Sequence, residues 1–262
     1  MSLAVALTVA GVDSSGGAGV AADLNTFASQ GVWGTCAITA VTAQNSLGVD
    51  AIEYVSTDVI VAQIGAVCRD MRVGAAKTGM LGSAEVATAV AAALPRGLPL
   101  VVDPVMVATT GATLGSPDSF APLIERATVV TPNAAEVKAL TGVVILGEDD
   151  MVRAARIVLE GGCDAVLVKG GHVGDGPARD CLIIQGQAGP VWLESERFDT
   201  SDTHGTGCVL SAAIAAHLAQ GSDIADACWA AKDLIRHALR DRVRLGQGVG
   251  AVNPLGALRR QE

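Results

Sequence analysis

The stretch "LAVALTVAGVDSSGGAGVAADLNTFASQGVWGTCAITAV", residues 3–41, decides the fold. Its first eight residues, 3–10, are a short continuous apolar run, the pattern of a strand buried on both faces. A glycine-rich loop follows, "GVDSSGGAG". Then "VAADLNTFASQG" reads as a helix stopped by Gly31. "WGTCAITAV", residues 33–41, is the next strand.

The alternation continues to the end of the chain. "TDVIVAQIGAVCRDM" places Ile60, Ile64, Val67, Cys68 and Met71 on one helical face behind a Thr57 cap. "VGAAKTG" is a strand, and "SAEVATAVAAALP" a helix ended by Pro95. "LPLVVDPV" is a strand with Asp103 at its carboxyl end. "ATVVTPN" is another, with Pro132 and Asn133 opening the helix "AAEVKALTG". "DDMVRAARIVLEGG" is a helix and "DAVLVKGG" a strand; "ARDCLIIQG" and "PVWLESERF" form a hairpin of antiparallel or edge strands. "TGCVLSAAIAAHLAQG" and "IADACWAAKDLIRHALRDRV" are the final helices. Continuous apolar strands alternating with helices predict an α/β fold, a mostly parallel central sheet with helices on both faces. No linker-like change of composition divides the 262 residues, so a single domain over residues 1–262 is expected.

Composition excludes several classes. Half the residues are apolar, enough for a sizeable core, and the net charge is -9. A nucleic-acid binder wants a basic stripe with stacking aromatics, and neither is present. The six cysteines show no CxxC and no zinc spacing, which fits a reduced cytoplasmic chain. The first residues lack the basic start of a secretory signal, and no apolar run reaches membrane-spanning length.

Ligands of such sheets bind beyond the carboxyl ends of the strands. Asp13, Gln44, Lys77, Asp103, Asn133 with Glu136, and Lys169 stand there. In "DTHGTGC", the N–H groups of Gly205, Thr206, Gly207 and Cys208 can cradle an anion at a helix start. The same turn also reads as a plain cap followed by a buried thiol. A helix N-terminus draws a thiol pKa down from about 8.5, so Cys208 is a candidate weak base or nucleophile. "GVDSSGGAGVAAD" fits the dinucleotide fingerprint loosely, but its glycines come late and no acid ends the second strand. It reads instead as a loop over a small polar substrate, with Asp23 reaching in from the helix. Asp103 and Glu136 suit a hydrated Mg²⁺ with phosphate ligands, while Glu136 alone is also an ordinary first-turn acid. Lys169 beside glycines suits phosphate or a solvated strand end. His172 is a loop residue without a partner histidine; His217 and His237 read as structural or surface residues.

Together, "AGVDSSGGAGVAADLNTF", "AITAVTAQNSLGV", "AKTGML", "VVDPVM", "TPNAAE", "VLVKGGH" and "THGTGC" resemble the ribokinase-like superfamily. Within it they are most similar to the hydroxymethylpyrimidine/phosphomethylpyrimidine kinase family of thiamine biosynthesis. These seven motifs run in order from Ala10 to Cys208. The resemblance implies a three-layer α/β/α fold and transfer of the γ-phosphate of ATP with Mg²⁺. The first transfer goes to the hydroxymethyl oxygen of 4-amino-5-hydroxymethyl-2-methylpyrimidine, the second to the resulting monophosphate. It implies a pyrimidine pocket from Gln44, Gly11, Ala18, Asp23, Met80 and Val107. It assigns Mg²⁺ and phosphates to Asp103, Asn133 and Glu136, phosphate contact to Lys169, and the anion hole to Gly205, Thr206, Gly207 and Cys208. It also suggests a homodimer. Many sugar-kinase relatives carry an aspartate base where Cys208 stands. The second acceptor is a phosphate, charged near neutrality, so a Cys208 base is expected to serve the first transfer more than the second. Ala251 departs from a frequent proline in the tail, and Asp13 occupies a variable position with no assigned role. Pyridoxal kinase activity is the alternative of the same branch, and a non-catalytic pyrimidine sensor is a third reading.

Overall fold

The computed structural model describes residues 3–106, 117–171 and 176–256. One nine-stranded sheet holds them in the order β3-β2-β1-β4-β5-β6-β7-β8-β9. The strands are β1 (Val5–Asp13), β2 (Trp33–Gln44), β3 (Val49–Tyr54), β4 (Ala75–Thr78), β5 (Leu100–Val102), β6 (Val129–Val130), β7 (Ala165–Val168), β8 (Ala178–Ile184) and β9 (Val191–Ser195). From β2 to β7 the neighbours pair in parallel; β3, β8 and β9 pair antiparallel.

The period of two along the strands sorts side chains to two cores. Leu7, Val9, Leu100, Val102, Val130, Val166 and Val168 face one side. They meet α2 (Thr57–Asp70), α3 (Ala84–Ala93), α4 (Ala121–Ile124), α5 (Ala134–Thr141) and α6 (Glu148–Leu159). Ala6, Ala75, Val101, Val129, Ala165 and Leu167 face the other side. There they meet α1 (Gly19–Ser29), α7 (Thr206–Ala219) and α8 (Ile224–Arg240). The result is the predicted three-layer α/β/α arrangement. Helix α7 packs against α1 and α8 and across β1, β4 and β5. Val209 through Ala216 are all buried, and the alanines let this helix approach the sheet closely. A helix covered on every side needs no polar face, which explains its apolar sequence.

Several local expectations are corrected. β1 runs on through Asp13, so "GVD" is strand rather than loop, with an irregularity between Ala10 and Val12. Edge strand β3 was not foreseen, because "VDAIEY" is mostly exposed and lacks an apolar run. The N-cap position of α2 belongs to Ser56, and Thr57 is its first helical residue. Only Ile60 and Ile64 of its predicted face are fully buried, and Met71 lies beyond the last turn. Gly31 stops α1 as expected, at φ 69°. Among the described residues no helix is long and apolar enough to cross a membrane.

Candidate active site

A cavity of about 620 Å³ follows the carboxyl edge of the sheet. Gln44 at the end of β2, Lys77 on β4, Asp103 after β5, Asn133 after β6 and Lys169 after β7 line it in sheet order. The strand ends thus bring together residues far apart in sequence.

Lys169 is the centre of the charged cluster. Its Nζ lies 3.1 Å from Asp103 Oδ1 and 3.7 Å from Glu136 Oε2. Burial draws this ammonium down, but Asp103 and Glu136 outweigh it and hold it above its ordinary range. Glu136 keeps both of its readings. It completes a capping box on α5, Asn133 Oδ1 accepting from Glu136 N–H and Glu136 Oε2 from Asn133 N–H, at 2.9 and 2.8 Å. It also lines the cavity. Burial and the charge of Asp103 push its carboxyl up to about 7, against the pull of Lys169. One lysine therefore leaves this pair of carboxylates under-neutralised.

A second buried pair lies behind the wall. Lys77 Nζ is 3.1 Å from both oxygens of Asp23, and Thr8 Oγ1 donates to Asp23 Oδ2 at 2.6 Å. Lys77 lines the cavity; Asp23 is fully buried and does not. The predicted reach of Asp23 from α1 thus runs through its lysine. Burial draws Lys77 down, and Asp23 more than restores it.

The "DTHGTGC" turn starts α7 with Gly205 at φ 82°. A Cβ at Gly205 would stand 1.9 Å from the carbonyl oxygen of Gly17, so glycine is required there. One at Gly207 would stand 3.3 Å from Lys169 Nζ and 3.4 Å from Asp103 Oδ2, which places the turn directly on the charged cluster. The Thr206 N–H is committed to the Thr203 carbonyl at 3.2 Å. The turn's remaining donors are those of Gly205, Gly207 and Cys208.

Cys208 corrects the expectation of a thiol drawn toward neutrality. Burial pushes it up to about 11, the charges of Asp23 and Asp103 add to this, and Lys77 only partly opposes them. Desolvation is the largest cause of this shift. The resting thiol is neutral.

Gln44, Gly11, Ala18 and Met80 line the end of the cavity at β2 and β1. Gly11 is packed under Met80, where a Cβ would meet the sulfur at 3.1 Å. Thr42 Oγ1 gives its proton to the Val12 carbonyl at 2.8 Å and lies 3.2 Å from Gln44 Oε1. Val107 and His172 lie outside the described residues. His217 faces Gln30 across the α1–α7 contact, and His237 joins Asp233 and Arg240 on α8.

The sequence profile of the phosphomethylpyrimidine kinase family matches residues 13–253. The chain belongs to that family. It is 48% identical to the hydroxymethylpyrimidine/phosphomethylpyrimidine kinase of Rhizobium meliloti, over 95% of this chain and 96% of that protein. A solved phosphomethylpyrimidine kinase of Clostridium difficile superposes with a TM-score of 0.76 at 38% identity, over 90% of this chain and 99% of that one. A pyridoxal kinase of Staphylococcus aureus, solved with AMP-PCP and pyridoxal, superposes with a TM-score of 0.89 at 31% identity. It covers all of this chain and 97% of its own.

Two parts of the site of this phosphomethylpyrimidine kinase family member escaped sequence reading. At the β9 end the apolar Phe198, Ile235 and Leu239 line the cavity beside the charged Glu196, Arg197 and Asp199. Ile235 and Leu239 are one helical turn apart on α8, but their spacing could not say that this stripe meets a ligand rather than the core. Asp180 and Lys232 also line this end, paired at 2.7 Å, and Asp180 accepts the Gly170 N–H at 2.9 Å. The other part is Asp13, to which no role was assigned. It is buried in the cavity wall, 2.7 Å from His204. Burial would raise its carboxyl, but hydrogen bonds from His204 and Ser15 hold it below the ordinary range.

Proposed function

We propose that this chain transfers the γ-phosphate of ATP to the hydroxyl of hydroxymethylpyrimidine, and then a second to the resulting monophosphate, as a kinase of thiamine biosynthesis. The observation that carries this is the order of groups along one cavity. Its β2 end presents the Gln44 amide. Its middle holds Lys169 beneath the 205–208 turn. Its β9 end offers the apolar Phe198, Ile235 and Leu239 beside charged side chains. A polar heterocycle, a phosphate chain and a nucleotide base laid end to end fit that order.

The chain's own groups divide the work. Gln44, Gly11, Ala18 and Met80, with Val107, hold the pyrimidine ring; Lys77 presents the charge that Asp23 keeps in place. The N–H groups of Gly205, Gly207 and Cys208, with Thr206 fixing the turn, receive the negative phosphoryl oxygens at the start of α7. Lys169 neutralises the charge that spreads over them, and Asn133 stands beside it on the phosphates. Asp103 and Glu136 are the residues that would hold Mg²⁺. They offer two buried oxygen donors with more negative charge than Lys169 balances, which suits an ion that keeps most of its waters. Such an ion would shield the triphosphate and the developing charge. Because its thiol rests neutral, Cys208 acts as a wall and donor of the turn. A loose transition state for phosphoryl transfer makes little demand on a base.

One sheet runs through every described strand, which supports a single kinase domain over residues 1–262. Trp33 and Val41 on β2 and Tyr54 on the edge strand β3 are exposed, and their apolar surface supports a homodimer. A cytoplasmic location accords with ATP as co-substrate. Pyridoxal phosphorylation is the second reading, favoured by the close superposition on a pyridoxal-bound kinase. Steady-state assays with the pyrimidine alcohol, its monophosphate and pyridoxal separate the two: turnover of pyridoxal but not of the monophosphate replaces the first reading by the second.

A further inference from the structure

Asp13 and His204 stand between two parts of the site that the reaction must hold at a fixed separation. His204 Nε2 lies 2.7 Å from Asp13 Oδ2, with both residues buried. The other oxygen of Asp13 accepts the backbone N–H and the hydroxyl of Ser15, at 2.8 and 2.7 Å. The next residue, Ser14, fastens the end of β2. Its hydroxyl donates to the Gln44 carbonyl and accepts the Gln44 N–H, both at 2.8 Å. His204 directly precedes Gly205, and the backbone there is in contact with the same loop. A Cβ at Gly17 would stand 2.6 Å from His204 Cδ2. The end of β1 and the residue after it therefore grip Gln44 through Ser14 and the anion turn through Asp13.

We propose that Asp13 and His204 are positioning residues whose contact, together with Ser14, sets the distance between a ring held at Gln44 and the 205–208 turn. This inference rests on the reading of two successive transfers. Those transfers feel the distance differently. The first acceptor is an uncharged hydroxyl one carbon from the ring, so ring contacts alone place it. The second acceptor belongs to a phosphate, which Lys169 and the turn bind directly. Loosening the bracket therefore blurs the first acceptor more than the second, and a misplacement of about 1 Å costs on the order of 10²-fold.

The test measures kcat and KM for each acceptor separately in wild type, Asp13→Asn, His204→Gln, His204→Ala and Ser14→Ala, with ATP-analogue affinity and Tm alongside. Asp13→Asn is expected to lower kcat for the alcohol by about tenfold or more, and for the monophosphate by less than about threefold. ATP-analogue affinity stays within about twofold of wild type. His204→Gln, whose amide still offers Asp13 an N–H, retains more of the first transfer than His204→Ala. If Asp13→Asn does not fold, Ser14→Ala on the exposed side of the loop shows the same split in smaller measure. Equal losses in both transfers, or none, overturn the inference alone. A wild type that fails on either acceptor overturns the reading of two transfers and the inference with it.

Discussion

Glu136 carries a sign that can be checked. Its folded carboxyl is pushed up to about 7 from an ordinary 4.5, so the folded chain keeps a proton that the unfolded chain has released between those values. Its contribution favours the fold at low pH and is lost as pH rises through about 7. Tm of the wild type should therefore fall more between pH 5 and 7.5 than Tm of Glu136→Gln; parallel curves would contradict this. The same ionisation sets Mg-ATP binding, whose affinity by calorimetry should rise from pH 6 to 8 in wild type and lose that rise in Glu136→Gln. Lys169→Ala removes the counter-ion of Asp103 and Glu136, and should lower kcat of both transfers by about 10²–10³-fold. Cys208 separates two chemistries. A general base would make Cys208→Ala cost the first transfer alone about 10²–10⁴-fold. With the thiol raised to about 11, both transfers should instead fall by one small, similar factor. A loss confined to the alcohol would restore the base.

The helix starts show which elements a sequence declares. "TPNAAE" announced its cap, and the structure realises both halves of the box at Asn133 and Glu136. Asn133→Ala should cost about 1 kcal/mol by urea unfolding, because it removes the acceptor of the Ala135 and Glu136 N–H groups while keeping the backbone N–H that Glu136 binds. A change within error would mean that the box is redundant with tertiary packing. The start of α2 was less legible because Ser56 and Thr57 are both capping residues, and neither side chain makes a cap bond. β3 was missed because an edge strand with an exposed face carries no apolar run to betray it. The long apolar α7 was legible as a helix. Its place between α1 and α8 was not, since a helix apolar all round gives no direction to its packing.

In the whole molecule, the alternation of strands and helices was enough to predict the layers, because each buried strand needs both faces covered. Phe27 tests one layer. It is fully buried in the α1–α7–α8 core, and Phe27→Ala should lower stability by about 3–5 kcal/mol while the residual folded fraction still binds ATP. The strand-end polar residues were equally legible, because a parallel sheet gathers its carboxyl ends on one edge. What stayed hidden depended on contacts across long sequence distances: Asp13 with His204, Asp180 with Lys232, and the burial that raises Cys208 rather than lowering it. Spacing cannot report a pairing set by the packing of two loops. The central claim concerns two successive transfers in one cavity. It is tested most directly by mass analysis of products after incubation with Mg-ATP and hydroxymethylpyrimidine. The predicted result is a monophosphate that rises and is then consumed into a diphosphate; accumulation of monophosphate with no further transfer, or no product at all, would contradict it.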